Sequence, residues 1–295
     1  VSRRIVALVS GSGWHVEDLR RAAARRGDRL EAAPFATLVA RVVDGSSRVM
    51  AGVLDLGGVD GLLVRMMPPG TLEQVVYRMD VLQLLEAAGV RVLNSPRAIE
   101  AAVDKYLALG RLAAAGVPVP RTWVGESARD ALDAYDELEG DVVVKPLFGS
   151  EGRGLSRVTD REAAWRIFHA LERVGSVLYL QRTVDHPGHD LRAFVLDGRV
   201  IGAIRRFARP GEWRTNVAVG GRAEAIELDP AAESLALRAA RAVGAAMAGV
   251  DLLPDPGEPG GLVVPEVNAV PGWRALSAAT GVDVAAAILG SFGDR

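Results

Sequence analysis

Short apolar runs divided by turn glycines confine the first third of this 295-residue chain to layered strands and helices. Ile5 to Val9 is an unbroken apolar run, too short for a core helix and long enough for a buried strand. Gly11-Ser12-Gly13 then turns the chain into a helix from about His15 to Arg26, which Gly27 stops. Gly61 to Met66 and Val90 to Leu93 repeat the strand signal, with a helix from Leu72 to Ala88 between them. This βαβ rhythm predicts a small parallel sheet ending near Asn94. The Gly11-Ser12-Gly13 turn lacks the full G-x-G-x-x-G pattern, so no dinucleotide fingerprint is read there.

Ser95-Pro96 is an N-cap with proline at the first helical position. The helix it opens runs through Lys105 and Leu112, with a break expected near Asp104, and stops at Gly116. Pro118 and Pro120 forbid its continuation. A second α/β segment follows: strand Val142 to Lys145, loop Phe148 to Gly154, helix Arg161 to Arg173, strand Val177 to Gln181. The third part begins near His186. Leu191 to Leu196, Asp197-Gly198 and Arg199 to Ile204 read as a hairpin with a two-residue turn. A helix from Ala231 to Met247 and strands around Gly249 to Leu253 and Leu262 to Val267 complete the chain. The expected class is α/β (α+β), in units 1–95, 96–185 and 186–295.

Composition narrows the function classes. Apolar residues at 49% and charged ones at 24% describe an ordinary soluble globular protein. A formal net charge of −2 argues against a partner bound by phosphate neutralisation, so no nucleic acid is expected. The absence of cysteine removes disulfides, thiolate metal sites and cysteine nucleophiles together. Ile5 to Val9 is too short for a signal peptide, and no stretch reaches the roughly 18 apolar residues of a membrane span. The expectation is a cytoplasmic protein without a membrane partner.

Of the 35 lysines and arginines, only Lys105 and Lys145 are lysines. A chain this rich in arginine keeps lysine where a compact ammonium is needed and a planar fork will not fit. Lys145 ends a strand just before Gly149-Ser150-Glu151-Gly152-Arg153-Gly154, whose open backbone N–H groups are the material of an anion cradle. The loop lacks the G-K-[ST] ending of a P-loop.

Two further groups carry chemistry. Glu266 and Asn268, two apart on a strand, project from one face, and their apolar neighbours suggest burial. Carboxylate and amide oxygens suit magnesium, and Asp251, ending what reads as a parallel-strand run, could supply another oxygen. In the hairpin, regular pairing across Asp197-Gly198 sets Arg192 against Ala203 and Asp190 against Arg205. Asp190, Arg192 and Arg205 then share a face that could clamp an anion building charge during reaction.

The order Asp104-Lys105, Val144-Lys145-Pro146 with its glycine loop, Gln181, Asp190-Leu191-Arg192, Arg214-Thr215-Asn216 and Glu266-Val267-Asn268 resembles the ATP-grasp superfamily. The ending Asn268-Ala269-Val270-Pro271-Gly272, with Thr280-Gly281-Val282-Asp283, is most similar to the RimK-like branch, including its tetrahydromethanopterin:glutamate ligases. The resemblance implies an ATP-grasp fold behind an N-terminal βαβ domain, and ATP-dependent joining of glutamate to a carboxylate acceptor, small molecule or peptide. A pterin cofactor is the first expectation for that acceptor, a protein C-terminus the second. By the same resemblance Lys105, Lys145 and the loop residues Gly149, Ser150, Gly152 and Gly154 contact ATP phosphates. The backbone of Arg182 and Thr183, after Gln181, holds the adenine edge, and Asp190 meets the ribose. Asp251, Glu266 and Asn268 hold two magnesium ions, with manganese as an alternative. Arg192, Arg206 and Arg214, with Thr215 and Asn216 beside them, face the transferred phosphate and substrate carboxylate. The family favours Arg206 where regular pairing favours Arg205; a bulge would reconcile them. Arg274 adds charge for a dicarboxylate, and Trp273 either stacks on an aromatic acceptor or serves in packing. Another ATP-grasp enzyme, a dipeptide-type ligase or small-molecule kinase, and a non-catalytic nucleotide-binding regulator are the alternatives, and a homo-oligomer stays open.

Overall fold

The computed structural model describes residues 2–149, 154–209, 211–212 and 222–293. Its first unit runs β1 (Arg4–Val9), α1 (Trp14–Arg26), β2 (Arg29–Pro34), β3 (Leu38–Val43), β4 (Ser46–Ala51), β5 (Leu54–Asp55), β6 (Gly61–Val64), α2 (Leu72–Ala87) and β7 (Val92–Leu93). The parallel sheet has the order β2-β1-β6-β7. Its buried strand residues match the apolar runs of the sequence, because a strand covered on both faces has no reason to alternate. The antiparallel β3-β4-β5 sheet was not expected. β3 is largely apolar and β4 mixed, but both are largely exposed, so hydrophobicity does not follow burial there.

The middle of the chain holds α3 (Pro96–Val103), α4 (Lys105–Ala114), β8 (Thr122–Gly125), α5 (Ala128–Glu137), β9 (Val142–Lys145), β10 (Ser156–Val158), α6 (Arg161–Arg173) and β11 (Leu178–Arg182). The expected break is real: Asp104 ends α3 and caps α4, its carboxylate accepting from the Tyr106 and Leu107 amides at 2.9 and 3.0 Å. The four strands form an antiparallel sheet ordered β10-β9-β11-β8.

The last part carries β12 (His189–Leu196), β13 (Arg199–Phe207), β14 (Arg222–Ile226), α7 (Pro230–Ala242), β15 (Met247–Pro254), β16 (Leu262–Asn268), α8 (Arg274–Thr280) and α9 (Val284–Gly290). The helix expected to reach Met247 ends at Ala242, because Gly244 takes a left-handed turn at φ 73° and Met247 already starts a strand. That strand is not parallel: β15 pairs antiparallel with both β12 and β16 in the sheet β14-β13-β12-β15-β16. One face of the sheet packs Ala193, Val195, Val250 and Val267 against α4 and α7. The other packs Phe194, Ile204 and Met247 against α8, α9 and the first unit.

Asn94, 1% exposed, ties the first unit to this sheet. Its Nδ2 donates to the Met247 and Ala269 carbonyls, both at 2.6 Å, and its Oδ1 accepts from the Met247 amide at 2.8 Å.

Candidate functional site

The β12/β13 hairpin contains the bulge that decides its chemistry. Leu196 pairs with Arg199 and Val195 with Val200, but Phe194 pairs with Gly202, so Ile201 is the extra residue. From there the register runs one step off the regular one: Arg192 faces Ile204, and Asp190 faces Arg206 rather than Arg205. The one-residue shift exchanges which arginine shares the face of Asp190 and Arg192.

Cross-strand neighbours then assemble a charged patch. Arg192 on β12 pairs with Asp251 on β15, which pairs with Glu266 on β16, so the three lie in one row across the sheet. Asn268 is two residues along the same face from Glu266. Arg192 holds Asp251 with both ends of its fork, Nε to Oδ1 at 2.6 Å and Nη2 to Oδ2 at 2.8 Å. Arg206, only 2% exposed, reaches Asp251 Oδ2 at 2.9 Å and binds Asp190 through Nε at 2.7 Å. Burial works against charge on both Asp251 and Arg206, yet the opposite charges win. The Asp251 carboxyl is held below, and the Arg206 guanidinium above, its ordinary range.

The two lysines reach this patch from the other sheet and from α4. Lys145, at the end of β9, donates to Gln181 Oε1 at 2.6 Å, and Gln181 Nε2 in turn donates to Thr122 Oγ1 at 2.9 Å. Burial pushes the Lys145 ammonium down to about 8; neighbouring Lys105 adds to the effect, while Glu266 and Asp251 oppose it. Lys105, the first residue of α4, donates to the Gly149 carbonyl at 2.8 Å, and burial lowers it against the pull of Glu266 and Asp104. Lys105, Lys145, Asp251 and Glu266 therefore share one electrostatic neighbourhood.

Not every expected residue is placed as anticipated. Asp190 is buried with both oxygens engaged by Arg206, a positioning arrangement rather than an open ribose acceptor. The amides of Arg182 and Thr183 already donate to the Arg121 and Asp141 carbonyls at 2.8 and 2.9 Å. The Arg182 side chain turns away to Asp255 at 2.7 Å. Trp273 is 0% exposed and cannot present a stacking face; its indole N–H donates to Asp18 at 2.8 Å. Gly149 and Gly154 flank the loop with φ of 136° and 76°. Ser150, Gly152, Arg214, Thr215 and Asn216 lie outside the described residues.

The donor set can be tested against magnesium. Among the described residues Glu266 makes no hydrogen bond or ion pair, although it is half-buried beside two ammonium groups. An open carboxylate there, with the Asn268 amide oxygen on the same face, fits a cation that prefers oxygen ligands. Asp251 fits less freely: a carboxylate offers about four lone-pair positions, and the arginines occupy most of them. Asn268 Oδ1 also accepts from the Val270 amide at 2.8 Å, which orients it.

Residues 102–292 match the RimK-like ATP-grasp domain. The chain is 37% identical over 264 residues to the tetrahydromethanopterin:alpha-L-glutamate ligase of Methanosarcina acetivorans, covering 81% of each protein. It is 31% identical over 238 residues to a probable alpha-L-glutamate ligase of Shewanella pealeana, covering 80% of this chain and 50% of that longer protein. Among solved structures, a RimK domain ATP-grasp protein of Sphaerobacter thermophilus superposes with a TM-score of 0.75 at 25% identity, covering 97% of this chain and 98% of that one.

Proposed function

Since the chain belongs to the RimK-like ATP-grasp family, we propose that it is an ATP-dependent carboxylate–amine ligase that adds glutamate to a carboxylate acceptor. The observation that carries this reading is the patch itself, where Lys105, Lys145, Arg192 and Arg206 converge on Asp251 and Glu266 with no cysteine or Ser–His pair among them. Such a site stabilises charge rather than forming a covalent bond to substrate, which is what phosphoryl transfer asks of a protein.

The acceptor carboxylate oxygen attacks the γ-phosphorus of ATP, the bond to the β-phosphate oxygen breaks, and ADP leaves an acyl phosphate. The glutamate amine then attacks the acyl carbon, phosphate departs, and the amine proton passes to solvent. Lys105 and Lys145 hold phosphate oxygens. Glu266 and Asn268, with Asp251 through its remaining lone pair, would hold magnesium, which neutralises phosphate charge when bound. Arg192 and Arg206 are fixed by Asp251 and Asp190, so their donors are already oriented when charge develops. The stretch after Gln181 offers the adenine its carbonyls and the next amide, because the Arg182 and Thr183 amides are taken. Ser150, Gly152, Arg214, Thr215 and Asn216 belong to the proposed site by resemblance alone, and the division into 1–95, 96–185 and 186–295 is likewise proposed, on the order of elements along the chain.

A pterin cofactor is the first choice of acceptor, in line with the name of the Methanosarcina relative. ADP release measured over a panel of carboxylate acceptors tests the reading, with glutamate-dependent release expected. Release that requires alanine or a polyamine and ignores glutamate with every acceptor would overturn it.

A further inference from the structure

The first unit holds a guanidinium that has no counter-ion among the described residues. Arg65 follows β6 directly and is 5% exposed, yet no described carboxylate pairs with it. It donates from Nη1 to the Pro271 carbonyl at 2.8 Å and lies 4.5 Å over the Trp273 ring. Neither contact neutralises its charge. Burial pushes it down to about 10 with no acid opposing. A buried charge left unpaired is costly, and an anion arriving beside it would offset that cost.

The place where it sits supports that. In the order β2-β1-β6-β7 the chain leaves β1 toward β2 on one side and returns as β6 on the other. The crevice between the carboxyl ends of β1 and β6 is thus the switch point, where ligands bind in open parallel sheets. Ser10 to Trp14 forms its exposed lip. The 13-residue α1 opens there behind Gly13, and no side chain caps its N-terminus. Uncapped amides and the helix dipole both favour an anion.

Two further donors lie close by. His15 accepts from the Trp273 amide at Nε2, 3.2 Å away, which leaves its ring proton on Nδ1. Burial, Arg65 and Arg274 lower its pKa to about 4 against the pull of Asp18, so it stays neutral. Arg274 is exposed, makes no described ion pair, and lies 5.7 Å over the Trp14 ring. Asp18, the acid that acts on His15, is occupied by Arg21 at 2.8 Å and by the Trp273 indole. The crevice also adjoins the charged patch. A side-chain carbon placed at Gly249 would meet Pro271 at 3.0 Å and Arg192 Nε at 3.7 Å, so the residue that binds Arg65 also stands beside Arg192.

We propose that Arg65, Arg274, His15 and the open N-terminus of α1 form a carboxylate subsite for the organic substrates, separate from the nucleotide site. The proposal rests on the ligase reading for its substrates but not for its binding chemistry. A forked guanidinium donor reads a carboxylate bidentately. That carboxylate belongs either to the amino acid or to the acceptor.

Calorimetric titration with MgADP present separates the two sources. L-Glutamate represents the amine donor, N-acetyl-L-glutamate an acceptor-like carboxylate without a free amine, and glutaramide the uncharged control. At least one of the two acids is expected to bind the wild type, with glutaramide failing to bind. Arg65→Gln should weaken that acid on the order of tenfold and the exposed Arg274→Gln severalfold, with MgADP affinity unchanged in both. Arg274→Gln guards against a folding defect at the buried site. The inference is overturned if neither acid binds the wild type, or if both variants bind the acids like the wild type. Loss of MgADP affinity alongside acid affinity would also overturn it, by merging the subsite with the nucleotide site. Wild-type MgADP binding without turnover on any acceptor would instead count against the ligase reading and leave the subsite standing.

Discussion

Lys145 shows how one residue type is selected by its surroundings. Its ammonium is brought down to about 8 by burial, against an ordinary value of 10.5. Between those values the unfolded chain binds more protons than the folded one, so the contribution of Lys145 to stability rises with pH across that window. In the proposed site nucleotide binding runs the other way, since phosphates would need the charged form. MgADP affinity should therefore fall as pH rises through 8, by up to about tenfold between pH 7 and pH 9. Lys145→Arg should flatten this dependence, because arginine stays charged, and should abolish turnover, because the fork does not match a site that ends on Gln181 Oε1. Titrations at the two pH values measure both. Glu266→Gln keeps the shape and removes the charge. The expected result is an unchanged urea midpoint with activity at saturating magnesium lowered by at least about 100-fold. A lowered midpoint with normal specific activity would make Glu266 structural.

At the scale of elements, the hairpin decides the site. Its two strands and two-residue turn are legible from Leu191 to Ile204, since alternation and Asp197-Gly198 carry that information. The extra residue at Ile201 is not, because a bulge changes pairing without changing local composition. Its consequence is large: Arg206 enters the buried network and Arg205 leaves that face. Asp190→Asn should strand part of the Arg206 charge. We expect a loss of about 3 kcal/mol in urea unfolding, together with lower turnover, whereas Arg205→Gln should have little effect on turnover. Equal loss of turnover in the two variants would contradict the observed register.

The whole molecule is held in register by contacts no local pattern announces. Asn94 closes the first unit onto β15 and the segment before Pro271 with three buried hydrogen bonds. Asn94→Ala leaves two carbonyls and an amide without their partner, and about 3 kcal/mol of stability should be lost. Turnover should fall with it even where the protein stays folded, because the segments Asn94 holds lead directly to Pro271 beside Arg65 and to Gly249 beside Arg192. Urea unfolding followed by assays on the folded fraction would separate the two effects. The described residues include no helix long and apolar enough to cross a membrane.

Strands buried on both faces, helices bounded by Ser95-Pro96 or Asp104, and the ordered motifs from Lys105 to Asn268 were all readable in the chain, because each depends on neighbours a few residues away. Arg65 was not, since an arginine after a strand looks like any other until the fold buries it without an acid. For the same reason the sequence left Trp273 open between stacking and packing, and its resemblance gave Asp190 to the ribose. Burial and pairing are properties of distant segments brought together, so local sequence determined the elements and the chemistry they carry. Only the tertiary structure decided which charges meet, which are spent on each other, and which remain open to a ligand.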